Sequence, residues 1–148
     1  MRAIIATSIA AASFITGGLS YAVFSIAARP PVMTYISFAA TQNSAKPGDK
    51  VPFAVTAIWN TQCPATIYPI WTDAATGNLV YRNKPHIGGI ADAGAEVKRR
   101  YYPQDIPSFD QYGHALPDRI CLQAQHVHTC GWPHSTTLSP KACINIEK

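Results

Sequence analysis

Twelve prolines are spread from Pro30 to Pro140, and they bar any long helix from that part of the chain. A proline inside a helix lacks the N–H the helix needs and its ring collides with the preceding turn. Coiled coils and helical rods are therefore excluded beyond the first thirty residues, and alternation becomes the informative signal. Val51, Phe53, Val55, Ala57 and Trp59 recur at every second position after the Lys46-Pro47-Gly48-Asp49 turn, which is a strand with one buried face. Thr34 to Ala40 is a short apolar run before it. Ala65 to Trp71 and Leu79 to Arg82 read as strands joined by the turn-rich Asp73-Ala74-Ala75-Thr76-Gly77-Asn78. Glu96 to Tyr102 sets Val97 and Tyr101 against Lys98 and Arg100. Arg119 to Val127 puts Ile120, Leu122 and Ala124 inward and Gln123 and Gln125 outward, and Ala142 to Glu147 sets Ile144 and Ile146 against Cys143 and Asn145. The spacing predicts an all-β domain of about seven short strands in two sheets. Residues 83–94 and the stretch from Pro103 to Pro117 read as irregular.

The first part of the chain differs. No charged residue occurs from Ala3 to Ala28, a length that as a helix would reach about 39 Å and cross a bilayer core of about 30 Å. We expect residues 1–29 to be a transmembrane anchor or a signal peptide and residues 30–148 to be the extracytoplasmic domain. Cleavage is the competing reading, because small residues at Ser20-Tyr21-Ala22 and Ile26-Ala27-Ala28 suit a signal peptidase; a buried core helix is a third. Arg29-Pro30-Pro31 ends the run and stiffens the chain into an extended spacer. The net charge is +4, but Arg2 and Arg29 flank this segment, and the remaining balance is too even to imply nucleic acid. Four cysteines, an even number, suit a compartment where disulfides persist. The expected location is the inner membrane, single-pass with the C-terminal domain in the periplasm, or secreted if the segment is cleaved.

Three stretches carry a resemblance at the level of layout: Lys46-Pro47-Gly48-Asp49 before the second strand, Pro103-Gln104-Asp105-Ile106-Pro107 entering a corner, and Asp118-Arg119-Ile120-Cys121-Leu122 opening the penultimate strand. With them, residues 33–148 resemble an immunoglobulin-like or fibronectin-like antiparallel β-sandwich of the kind found in membrane-anchored bacterial and phage proteins. The chain departs from antibody domains in that Cys63 lies beyond the end of the second strand. Four cysteines allow three pairings. The sandwich layout implies Cys63 with Cys130, on loops at one end, and Cys121 with Cys143, near the other; Cys121 with Cys130 is the rival pairing.

His126, His128, Cys130 and His134 form the densest group of chemistry-bearing residues. Alternation places His126 and His128 on one side of a strand, His126 continuing the inward series as a hydrogen-bonded residue at the edge of the core. With His134 returning on a loop, three imidazoles at ~2.0 Å would suit zinc or copper, so a small periplasmic metal-binding protein is the alternative function. The Lys98-Arg99-Arg100 cluster reads as a solvated edge that blocks unwanted strand pairing. No nucleophile elbow, phosphate-cradling loop or His-Glu-x-x-His occurs, so we expect no enzyme and no cofactor. Trp132 and His134, on a loop pinned by a disulfide, and Asn60 and Gln62 on a neighbouring loop are the expected binding residues. The leading expectation is a membrane-anchored module, held by residues 3–28, that binds a protein or envelope polymer or serves as a subunit of an envelope or virion assembly.

Overall fold

A computed structural model describes residues 31–88, 94–130 and 134–148, with backbone alone for 94–99. The anchor or signal expected at 1–29 and Trp132 lie outside the described residues. Among the described residues there is no helix long and apolar enough to cross a membrane. The strands are β1 (Met33–Ala40), β2 (Ser44–Ala45), β3 (Lys50–Trp59), β4 (Ala65–Asp73), β5 (Leu79–Arg82), β6 (His86–Gly88), β7 (Gly94–Asp105), β8 (Arg119–His128), β9 (Ser135–Leu138) and β10 (Ala142–Ile146). One sheet has the order β1-β3-β7. The other runs β2-β10-β8-β4-β5, with β6 also on β4 and β9 also on β8. The all-β class and the two sheets follow the sequence reading; the number of segments exceeds seven.

Prolines explain two of the extra segments. β6 pairs with Ala65 to Ile67 and β5 with Ile70 to Thr72, so both lie on one edge of β4. The gap between them falls at Pro69, whose carbonyl accepts the Asn83 N–H at 3.1 Å and which has no N–H to return. β9 and β10 likewise share one edge of β8 and part at Ser139-Pro140. There the Ser139 hydroxyl accepts the Ala124 N–H at 2.8 Å and donates to the Pro140 carbonyl at 2.8 Å. The Ala124 N–H that faces the kink is thus satisfied.

The core is built by the inward series the alternation marked. Val51 and Phe53 of β3 meet Trp71 of β4, Ile120 and Leu122 of β8, and Ile144 and Ile146 of β10. Phe53 sits edge-on to Trp71 with centroids 5.9 Å apart, and Phe38 stacks on it at 5.5 Å. A smaller cluster of Met33, Val55 and Ala57 extends the core towards Trp59. At the start of β3, Pro47 and Gly48 (φ 86) occupy the middle of a turn closed by Asp49 N–H to the Lys46 carbonyl at 3.1 Å. Only glycine adopts that φ without strain.

Both cysteine pairs are bridged, Cys63 to Cys130 and Cys121 to Cys143. The second pair is directly cross-strand between β8 and β10. Its neighbours Ile120, Leu122, Ala142 and Ile144 point inward, so this bridge lies on the outer face of the sheet. The first bridge ties the β3–β4 loop to the loop after β8, and the Cys130 N–H points at Cys63 Sγ at 3.1 Å. Two disulfides suit an oxidising compartment outside the cytoplasm.

Candidate functional site

The register fixes two ends of the domain. Met33 pairs with Trp59 and Ala65 with His128, so Pro31, the Asn60 loop and Cys130 share one end. Lys50 pairs with Asp105 and Asp73 with Ile120, so the 73–78 turn and the 106–118 segment share the other.

At the first end the expected binding residues are divided. Asn60 is exposed but is engaged within the domain, its backbone N–H donating to the Val32 carbonyl at 2.8 Å and its amide to the Pro31 carbonyl at 2.7 Å. It fastens the start of β1. Gln62 and His134 are exposed. His126 and His128 do come together, with rings stacked at 6.2 Å, whereas no group of three His, Cys, Asp or Glu gathers among the described residues. His134 does not complete a ligand set with them.

The two histidines belong to the interior. His126 Nε2 lies 2.5 Å from the Tyr35 hydroxyl on the opposite sheet. Burial foremost, with the charges of His128 and His86 adding to it, pushes the His126 imidazole down to about 4. Burial also lowers His128, which is 2% exposed and sits 3.0 Å from the Thr137 hydroxyl through Nε2. Burial pushes the Tyr35 phenol well above its ordinary range. The trio is therefore neutral near pH 7 and can respond to acid, but offers no charged ligand or activated nucleophile there. Cavities of about 40 Å³ and about 130 Å³ adjoin it.

Arg100 departs from the solvated edge expected of it. It stands opposite Val55 on the inward side of β7, half-buried, with its guanidinium 5.2 Å from the centre of the Trp59 ring. An inward charge on an edge strand still discourages strand addition.

At the second end, the stretch read as irregular carries two exposed aromatic rings. Phe109 is 60% exposed and Tyr112 75% exposed, on a segment whose two flanks, Ile106 and Leu116, are buried in the core. Between these anchors Asp110 organises the backbone. Its Oδ1 accepts the N–H groups of Tyr112 and His114, each at 2.8 Å, while Oδ2 lies 3.2 Å from His114 Nδ1. These donors, His114 N–H foremost, hold the Asp110 carboxyl below the usual carboxylate range. Gly113 supplies the positive φ of 84 that the turn requires, and the Gln111 N–H reaches the Val80 carbonyl at 2.8 Å, fastening the loop to β5. Exposed aromatic rings on a pinned loop are the arrangement recognition surfaces use, because little side-chain freedom is lost on contact. Asp110→Ala is expected to leave the domain folded and to make the Tyr112 and His114 amides exchange several-fold faster with deuterium; unchanged exchange would show that the carboxylate does not hold the loop.

Beside this loop runs a groove of about 900 Å³ between β7 and the β5 edge, lined by Tyr81, Asn83, Lys84, Gln104, Asp105 and Phe109 among others. His86 and Tyr102 stand where it meets the interior cavities. Sequence reasoning missed both features. The available signal was the pair of apolar residues, Ile106 and Leu116, bracketing Asp110 and Gly113.

No protein-family model matches the chain, and no curated protein matches it in sequence. Among solved structures it is similar to a Pseudomonas fluorescens alkylpurine DNA glycosylase, AlkC, bound to DNA containing an abasic site analog. The identity is 13% and the TM-score 0.46, over 81% of this chain and 32% of that one. The chain thus spans about a third of the glycosylase's length, and nothing about activity carries over from it.

Proposed function

We propose that the protein is a non-enzymatic extracytoplasmic binding module, held at the membrane by residues 3–28, which presents the 106–118 loop to a protein or envelope polymer. The observation that carries this is the pairing of exposed Phe109 and Tyr112 with buried anchors on both sides of them. The immunoglobulin-like layout is supported by strand order. If β1 and β2, β5 and β6, and β9 and β10 are each one interrupted strand, seven positions remain. Apart from β2, which carries the first strand over into the second sheet, three of them form one sheet and four the other, with the chain crossing between sheets after β1, after β2, after β3, after β6 and after β7. The recognition loop lies at the end of the domain opposite Pro31.

Site-specific photo-crosslinking in the full-length protein, expressed in a bacterial envelope, tests the reading. A photoreactive side chain at position 112 is expected to give an adduct with an envelope component, and one at position 62 to give none. Adducts from position 62 alone would move the contact surface to the end carrying the Cys63–Cys130 bridge. A protein found in the cytoplasm with four free thiols would overturn the extracytoplasmic placement.

A further inference from the structure

We propose that the groove between β7 and the β5 edge binds an uncharged or weakly charged oligosaccharide chain. The inference rests on the binding-module reading and adds the ligand's chemical class.

Size and lining point the same way. The groove's volume of about 900 Å³ falls within the range of small-ligand sites. A sugar ring offers a C–H face and a rim of hydroxyl groups that both donate and accept. Tyr81, 38% exposed, and Phe109, 60% exposed, supply aromatic faces for the first. The amides of Asn83 and Gln104 and the carboxylate of Asp105 supply donors and acceptors for the second.

Charge and backbone narrow the choice of polymer. The ionisable groups along the groove include both signs, Lys84 and His86 against Asp105 and Asp110. Asp105 faces Lys50 at 3.8 Å and Asp110 faces His114 at 3.2 Å. Among the described residues the groove carries no single-sign field to hold a polyanion. A peptide added as an extra strand would need the edge of β7 that has no neighbouring strand among the described residues, and Pro103 interrupts that edge. Its cross-strand partner Pro52 turns its carbonyl towards β1, accepting the Thr41 N–H at 3.0 Å. Residues directly opposite in an antiparallel pair either both face each other or both face apart, so the backbone of Pro103 turns away from β3 towards the other edge of β7 and lacks the donor a peptide strand would seek there. A glycan needs no such ladder.

The test is binding of the full-length, detergent-solubilised protein to immobilised probes: neutral hexose and N-acetylhexosamine tetramers, uronic-acid tetramers, and extended peptides. Binding to neutral tetramers is expected, weakened about tenfold or more by Tyr81→Ala and by Phe109→Ala. Tyr81→Phe, which keeps the ring, is expected to retain binding, and Leu138→Ala, exposed on β9, to change nothing. Neutral-glycan binding indifferent to Tyr81 and Phe109 would overturn the proposal. So would binding confined to uronic acids or to peptides, although peptide binding lost in Phe109→Ala would leave the binding-module reading standing. Silence from all probes would overturn the glycan class, while crosslinks from position 112 would still decide the module.

Discussion

Alanine at both Cys63 and Cys130 is expected to lower the unfolding free energy by about 4 kcal/mol, and alanine at both Cys121 and Cys143 by about 3 kcal/mol. The difference follows from chain entropy. The first bridge closes a loop over a sequence separation of 67 and the second over 22, and a longer closed loop removes more freedom from the unfolded ensemble. The first bridge also holds together segments of both sheets, since β4 to β8 all lie between its ends. The second joins strands already paired residue by residue. Domains of this size have total stabilities of about 5 to 15 kcal/mol, so loss of the first bridge alone removes a large share, and loss of both would leave the domain at the margin of folding. Urea unfolding of the full-length variants measures this directly. A larger cost for the Cys121–Cys143 pair would defeat the entropic account and point instead to an enthalpic role on the outer face of β8 and β10.

Legibility in the sequence tracked how local each determinant was. β3 could be read from Val51, Phe53, Val55 and Ala57 because one face of it is buried along most of its length. The β4–β5 turn could be read because its chemistry is self-contained: Asp73 Oδ1 accepts the Ala75 N–H and Oδ2 the Thr76 hydroxyl, both within three residues. β2 left no such trace. It is two residues long and its partner, β10, lies about a hundred positions away, so no periodicity develops. β6 and β9, of three and four residues, are also too short for a period to develop, and they form on edges that proline had already divided.

The site was harder to see than the fold for a related reason. An aromatic residue in an irregular stretch looks the same in sequence whether it points in or out, and Phe109 and Tyr112 acquire their exposure only from the turn that Asp110 and Gly113 impose. Asn60 shows a second limit of the sequence. Its position in a polar loop suggests contact with a partner, and its amide is engaged with the backbone and hydroxyl of the segment opening β1, 29 and 26 residues earlier in the chain. His126 succeeded because strand alternation alone carries it inward from Ile120, Leu122 and Ala124.

That inward placement makes the domain acid-sensitive in a definite window. His126 titrates near 6.5 in an unfolded chain and is pushed down to about 4 in the folded one. The unfolded state therefore binds the extra proton first as pH falls. The contribution of neutral His126 is complete above about pH 6.5, shrinks as pH drops towards 4, and amounts to about 3 kcal/mol over the whole interval. The groups facing it are Tyr35 from β1, His128 from β8, and His86 and Tyr102 beside the adjoining cavities. None of them is a carboxylate that could hold an imidazolium, and protonated His128 or His86 would raise the cost further. Asp73 and Asp110, both held below their ordinary range, lose their contributions only at more acid pH, so the two processes separate along the pH axis. His126→Gln retains an amide for the Tyr35 hydroxyl and removes the titration. Urea midpoints at pH 7.5 and pH 4.5 are expected to differ markedly for the native chain and much less for this variant. An equal acid shift in both would place the sensitivity elsewhere and reduce His126 to a packing residue.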